Sequence, residues 1–427
     1  MVLKVDVPPH LVGGDVDSGY GPVADAFRRN FADRGEIGAA CAVYRDGVKV
    51  VDLWGGYSDG RRRLPWQPDT LVTVASTTKG VASLTLAVAH SRGLLDYDER
   101  VATYWPEFAQ NGKAGVTVRQ LLSHQAGLAV IDRPLSLEDL ADLDLLAGVL
   151  AEQAPAWEPG TRQGYHGVSL GWYEGELLRR VDPAHRTLGR FFAEEIAAPL
   201  NIEFYIGLPE SVDPGRLAFF HGYNLAETLL HLHQMPPRFV AGFLNPRSVT
   251  ARAFANPKIL QVLSNYNRMD VLRLELPAAN GTGEVRGIAK AYGAVAMGGA
   301  DLGLSPATLD ALVQPARAPS GGVRDVVLGL DSSFSLGYVK PFPSFRFGTS
   351  AGKAFGTPGG GGSFGFADPD AGIGFAYAMN RAGFRLWDDP REVALRDTLY
   401  QKVLHEAPQR PDLNRRPHRT TKASGHT

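Results

Sequence analysis

The stretch "ASTTKG" places Ser76 three residues before Lys79. A serine hydroxyl attacks a carbonyl only if something takes its proton, and an amine one helical turn away can do so. The run that follows, Val81 to Ala89, is apolar on every face, which predicts a helix buried inside the protein. At the N-terminus of such a helix the dipole favours a serine oxygen as it becomes anionic. Burial also lowers a lysine pKa, because desolvation penalises the charged form. Ser76 and Lys79 are therefore candidates for nucleophilic acyl chemistry. The bland alternative is a buried helix whose Lys79 amine reaches solvent or a carboxylate.

Other patterns compete and lose. "SAGK", Ser350 to Lys353, repeats the S-x-x-K spacing in a Gly/Pro-rich loop with no helix to hold the pair together. "GVSLG", Gly167 to Gly171, fits G-x-S-x-G, but the buried strand that must precede such a serine is missing from the polar, turn-rich "AWEPGTRQGYHG". Ser169 is expected in the first turn of a helix, where a hydroxyl can satisfy free backbone N–H groups. "GTSAGKA" lacks both the spacing of a phosphate loop and its metal-binding hydroxyl, and "GGGSFG" leads into a strand rather than a helix, so neither holds a nucleotide. His231 and His233 stand two apart with no Cys or acidic cluster beside them, and no metal site is expected. Cys41 is the only cysteine and reads as a buried packing residue.

The elements that must position Ser76 and Lys79 follow from periodicity and turn signals. A helix is predicted around Val23, Phe27 and Phe31, then a hairpin whose turn is Asp46-Gly47. From about Asp96 to Ala279 the chain reads as helices and long loops, with helices expected over "TVRQLLSHQAGL", "LEDLADLDLLAGVLAEQ", "SLGWYEGELLRRV" and "TLGRFFAEEIAAPL". "GEVRGIAKAYGAVAMGG" is a further helix. "DVVLGLDSSFSLGYV", "AFGTPGGGGSFGFADPD" and "GIGFAYAMNR" read as strands, and "REVALRDTLYQKVLHEA" closes as a helix. The economical architecture is an α/β domain built from both termini (1–80 and 285–407), with a mostly helical domain (81–284) inserted. Residues 408–427 form a polar, basic tail expected to be disordered. The domain junction would make a cleft.

Composition narrows the function. Lys and Arg number 44 against 45 Asp and Glu, so nothing favours a nucleic acid or an anionic membrane as partner. No apolar run could span a bilayer, and the N-terminus lacks the basic head and apolar core of a secretory signal, so a cytoplasmic location is expected. The expected partner is a small-molecule substrate, without a cofactor.

Four stretches in order, "ASTTK", "LLSHQAGL" (Leu121 to Leu128), "EPGTRQGYH" (Glu158 to His166) and "FGTPGGGGSFGFADP" (Phe355 to Pro369), make the chain resemble the serine β-lactamase and penicillin-binding-protein superfamily on its class C side. The resemblance is closest to family VIII carboxylesterases and runs from about residue 20 to 405. It implies an antiparallel sheet flanked by helices, Ser76 as nucleophile with Lys79 beside it, and Tyr165 completing the proton relay. It also implies a K-T-G-type edge strand lining the cleft, matched to Thr357-Pro358-Gly359. The N–H groups of Ser76 and Gly360 would then form an oxyanion hole. Thr357 and Gly359 are assigned to the substrate pocket; His166, beside Tyr165, is a candidate cleft-lining side chain, but a structural hydrogen-bonding role is the expectation that weighs more for it.

Two departures bear on substrate. Gly167 stands where many relatives carry an Asn that contacts the lactam side chain, and Thr357 stands where β-lactamases carry a Lys that attracts the substrate carboxylate, with Lys353 as a candidate replacement. Both changes suit an esterase acting on neutral acyl esters of small or medium size. β-Lactamase, D-aminopeptidase and acyltransferase activity on the same scaffold stay open, as does a non-catalytic binding role. Tyrosine titrates near 10, so Tyr165 could serve as base only with Lys79 as its cation; which of the two is the base stays open here.

Overall fold

The computed structural model describes residues 5–223 and 225–406. The tail 408–427, expected to be disordered, lies outside the described residues. The strands are β1 (Val12–Val16), β2 (Gly38–Arg45), β3 (Val48–Asp59), β4 (Leu64–Pro65), β5 (Val72–Thr73), β6 (Phe204–Tyr205), β7 (Thr282–Gly283), β8 (Phe334–Ser335), β9 (Tyr338–Val339), β10 (Phe355–Pro358), β11 (Phe364–Asp368) and β12 (Ile373–Met379).

Helix α1 (Gly21–Asp33) precedes the first hairpin, and α2 (Thr77–Ser91) follows β5. Between β5 and β7 come α3 (Val101–Tyr104), α4 (Val118–Leu122), α5 (Leu137–Ala141), α6 (Leu143–Glu152), α7 (Ser169–Val181), α8 (Leu188–Phe192), α9 (Ala198–Leu200), α10 (Leu225–His231), α11 (Pro237–Leu244), α12 (Val249–Phe254) and α13 (Met269–Leu272). Then follow α14 (Val285–Ala296), α15 (Pro306–Val313) and, near the end, α16 (Pro390–Thr398).

One antiparallel sheet runs β1-β3-β2-β12-β11-β10-β9-β8, with β4 on β3. The two ends of the chain meet in its middle: β2 pairs with β12 from Arg45 opposite Ile373 to Ala39 opposite Met379. The β2–β3 turn is made by Asp46 and Gly47, both at positive φ (50° and 80°), which is the two-residue hairpin that Asp-Gly favours. A small sheet, β5-β7-β6, ties both ends of the helical stretch together.

Helix α2 is buried from Thr77 to Ala89 on all sides, as its apolar run predicts. It runs between α7 and α8 on one flank and β9 to β11 on the other. Each of its fully buried aliphatic side chains, Leu84, Leu86 and Val88 among them, contributes roughly 1.5–3 kcal/mol. The nucleophile candidate is thus mounted on one of the best-anchored elements of the fold.

Three expectations need correction. "LEDLADLDLLAGVLAEQ" is two helices rather than one, because the Asp142 carboxylate accepts the Leu145 N–H (3.0 Å) and caps α6. In "DVVLGLDSSFSLGYV" only the short β8 and β9 pair. The Asp325 carboxylate instead accepts the N–H groups of Val327 (2.8 Å) and Leu328 (2.7 Å), which turns the chain before a strand can form. Strand β10 is not an edge strand either: β11 pairs along one side of it and β9 takes up the other.

Candidate active site

Ala75, directly before Ser76, has φ +46°, a left-handed conformation that a residue with a Cβ adopts at a cost. It turns the chain out of β5 and into α2. Ser76 opens the helix, yet its hydroxyl makes no capping bond, so the oxygen is left for other work. Thr77, one residue on, is fixed by Ser363: the two hydroxyls are 3.0 Å apart, and Ser363 Oγ also donates to the Val74 carbonyl (2.8 Å).

Lys79 is fully buried. Its Nζ lies 3.0 Å from Ser76 Oγ, and it donates to the carbonyls of Gly167 (2.7 Å) and Ala278 (2.9 Å). Burial pushes its pKa down to about 7, with Glu174 pulling the other way. Glu174 offers little compensating charge. It is buried on α7, accepts from Ser83 Oγ (2.6 Å), and is itself pushed up to about 8 by burial.

Tyr165 presents its ring 4.8 Å from Lys79 Nζ, and its hydroxyl interacts with that of Ser76. Burial raises the phenol above its usual range, and the Ser76 contact acts against that rise. Its backbone N–H goes to the Asp325 carboxylate, which burial pushes up to about 7. Ser76, Lys79 and Tyr165 are thus brought together from two chain segments.

The loop after β10 completes the surroundings. Gly359 is buried, and its N–H donates to the Ser363 carbonyl (2.7 Å). A Cβ there would sit 2.4 Å from the Val74 carbonyl, so only glycine allows the loop this close to α2. Gly360 is exposed next to Ala75. Among the described residues, neither the Ser76 nor the Gly360 N–H finds a backbone acceptor.

Several assigned pocket residues do other jobs. His166 is fully buried and does not line the cleft. Its Nδ1 faces the Gly164 carbonyl (2.7 Å) and its Nε2 accepts the Leu128 N–H (3.1 Å), which fixes a neutral Nδ1–H tautomer. His124 stands behind it, with its Nδ1 accepting the His166 N–H (3.0 Å). Thr357 is also buried, under α2, with its hydroxyl beside that of Tyr292. Lys353 cannot replace a lysine at position 357, because it is exposed and paired with Asp370 (2.8 Å). Ser169 does begin α7 and is buried, but its hydroxyl caps no N–H of the helix; it donates instead to the Leu128 carbonyl (2.8 Å). At Gly167 a Cβ would lie 2.6 Å from the Phe254 ring.

Two residues near the site escaped sequence reasoning. Glu174 did leave a signal: it stands four after Leu170 and four before Leu178, on the buried stripe of its helix. Asp325 left none, because its contact with Tyr165 bridges distant parts of the chain. Among the described residues no cluster of His, Cys, Asp or Glu could hold a metal ion, and no helix is long and apolar enough to cross a membrane.

A helical block on an antiparallel sheet, with an S-x-x-K helix between them, defines a serine hydrolase of the β-lactamase-like fold. The Beta-lactamase family model matches residues 23–397, and the chain belongs to that family. It is 33% identical over 376 residues to the esterase/beta-lactamase LipL of Mycobacterium tuberculosis (strain ATCC 25618 / H37Rv), covering 87% of this chain and 83% of the relative. Its structure is similar to that of a family VIII carboxylesterase, at 37% identity and TM-score 0.79 over 92% of this chain and 100% of that one. A penicillin-binding-protein homolog from Caulobacter crescentus matches with the same identity, TM-score and coverage.

Proposed function

We propose that the protein hydrolyses uncharged esters of small or medium acyl groups through an acyl-enzyme on Ser76. The observation that carries this is the setting of Lys79 Nζ. Two carbonyls, of Gly167 and Ala278, take two hydrogens of the amine, and the third direction faces Ser76 Oγ. A neutral amine held this way turns its lone pair to the serine proton, and a pKa near 7 makes the neutral form available. Tyr165, whose burial disfavours the phenolate, acts as the proton carrier rather than the first base.

In the first half-reaction Ser76 Oγ bonds to the ester carbonyl carbon while Lys79 takes its proton. The N–H groups of Ser76 and Gly360 hold the oxyanion. The carbon–alkoxide bond breaks, and the alkoxide leaves with a proton passed from Lys79 through the Tyr165 hydroxyl. In the second half-reaction water attacks the acyl carbon and gives its proton to the same pair, which returns it to Ser76 Oγ as the acyl–oxygen bond breaks, releasing the acid and free Ser76.

Thr357 is buried, Lys353 is committed to Asp370 and Gly167 has no side chain, so none of these three positions supplies a cation or an amide to a lactam carboxylate and its side chain. The Mycobacterium relative is named for both activities, so nitrocefin belongs in the assay, with turnover expected to be far below that of p-nitrophenyl butyrate. The decisive test is Ser76→Ala on p-nitrophenyl acetate and butyrate, with fluorophosphonate labelling to map the modified serine. Loss of turnover and a label on Ser76 are expected; full activity in Ser76→Ala overturns the reading.

A further inference from the structure

An apolar cavity of about 470 Å³ lies between α10–α11, the 261–264 turn and the 383–386 loop. Gly360 and Gly361 form part of its wall. Its apolar lining includes Met235, Phe239, Val240, Phe243, Phe384 and Leu386. The charged residue lining it, Arg385, is exposed and turns a guanidinium nitrogen to the Asp388 carbonyl (3.3 Å). The size is that of a small-molecule site.

Two separate connections join this cavity to the catalytic candidates. On one side, Gly360 borders both the cavity and Ala75, the residue before Ser76. On the other, an aromatic series leads from Tyr165 to Phe254 (ring centroids 6.3 Å) and from Phe254 to Phe239 (6.1 Å) and Phe243 (6.4 Å), both of which line the cavity. The mouth carries exposed apolar side chains as well: Phe243, Leu244 and Val262 are 42%, 70% and 52% exposed. A carbonyl oxygen bound at the Gly360 N–H therefore has an apolar chamber next to it.

The geometry points to this cavity as the seat of an unbranched apolar chain of the ester substrate, which makes Met235 and Val240 determinants of chain-length preference. This rests on the esterase reading of Ser76. Either half of an ester could carry the chain, acyl or alkoxy, and the chemistry of recognition is the same. Each methylene moved from water into the cavity is worth about fourfold in kcat/KM.

The test is a pair of substrate series on the full-length enzyme. One varies the acyl chain as p-nitrophenyl acetate, butyrate and hexanoate; the other varies the alcohol as ethyl, butyl and hexyl acetate. In one of the two, kcat/KM should climb about fourfold per methylene, and that series names the half of the ester that enters. Met235→Trp and Val240→Phe each fill the chamber; at least one should lower hexyl-chain turnover tenfold or more while acetate turnover stays near wild type. A flat profile in both series from an active enzyme overturns the assignment. So does a wild-type profile retained by both variants. An enzyme that turns over no ester refutes the Ser76 reading instead, so the two failures are told apart.

Discussion

Lys79 Nζ stands 3.0 Å from Ser76 Oγ, and its other two partners are both backbone carbonyls. Among the described residues no carboxylate touches it, and the charge set against its burial is that of the more distant Glu174, whose own burial keeps it largely protonated near neutrality. The arrangement resembles a base rather than an ion pair.

Activity should therefore follow the deprotonation of Lys79. Its pKa is lowered to about 7, so the reactive neutral form gains as pH rises through that value. The kcat/KM profile for p-nitrophenyl butyrate should climb with unit slope below about 7 and level off above it. Lys79→Ala should lose about 10²–10⁴-fold in kcat. A profile flat from pH 5 to 9 would remove Lys79 from the role of base.

Tyr165 and Asp325 are expected to separate by kind of effect. Tyr165→Phe should lower kcat by about 10²-fold or more with little change in melting temperature. Asp325 holds the Tyr165 backbone and the turn at Val327 and Leu328 without facing substrate. Asp325→Ala leaves those buried N–H groups unpaired and should cost about 1–3 kcal/mol of stability as well as activity. Asp325→Asn keeps an acceptor oxygen and should recover most of both. Equal losses in the Ala and Asn variants would mean that the carboxylate charge, not its hydrogen bonding, is what counts.

Ser169→Ala should keep full esterase activity and lose roughly 1 kcal/mol through the bond to the Leu128 carbonyl. Thermal melts and p-nitrophenyl acetate turnover read the two effects separately.

The buried histidines predict a weakness toward acid. Burial depresses His166 to about 4 and His124 well below its usual value. The unfolded chain takes up these protons near 6.5, so folded-state stability is present above that pH and falls as pH drops toward 4. His166 alone accounts for roughly 3 kcal/mol over that window. Melting temperature should decline from pH 6.5 to 4, and His166→Gln should make the decline shallower. A variant as acid-sensitive as wild type would shift the effect to other groups.

Much of this site could be read in the sequence where the signal was local. The all-round apolar run after Ser76 announced the buried helix, and helical spacing alone put Lys79 beside it. Asp46-Gly47 announced the hairpin by its backbone needs. What could not be read depended on contacts between distant segments. The structural role expected of His166 holds, but its partners, the Gly164 carbonyl and the Leu128 N–H, could not be named from the sequence. Thr357 matched a motif position, but where its side chain points depends on α2 and Tyr292, which no spacing rule includes. The inner position of β10 required knowing that β8 and β9 fold back onto it.

Gly167 carries a further consequence. It serves Lys79 through its carbonyl, so that contact does not need any particular side chain there, yet the Phe254 ring occupies the space a side chain would need. An amide-bearing residue at 167 would meet the Phe254 ring directly. Phe254 has to move or shrink first, and doing so opens the aromatic wall that leads to the apolar chamber. Phe254 packs on Phe239 and Phe243 of that chamber, so a change at 254 reaches both the space beside Gly167 and the chamber wall.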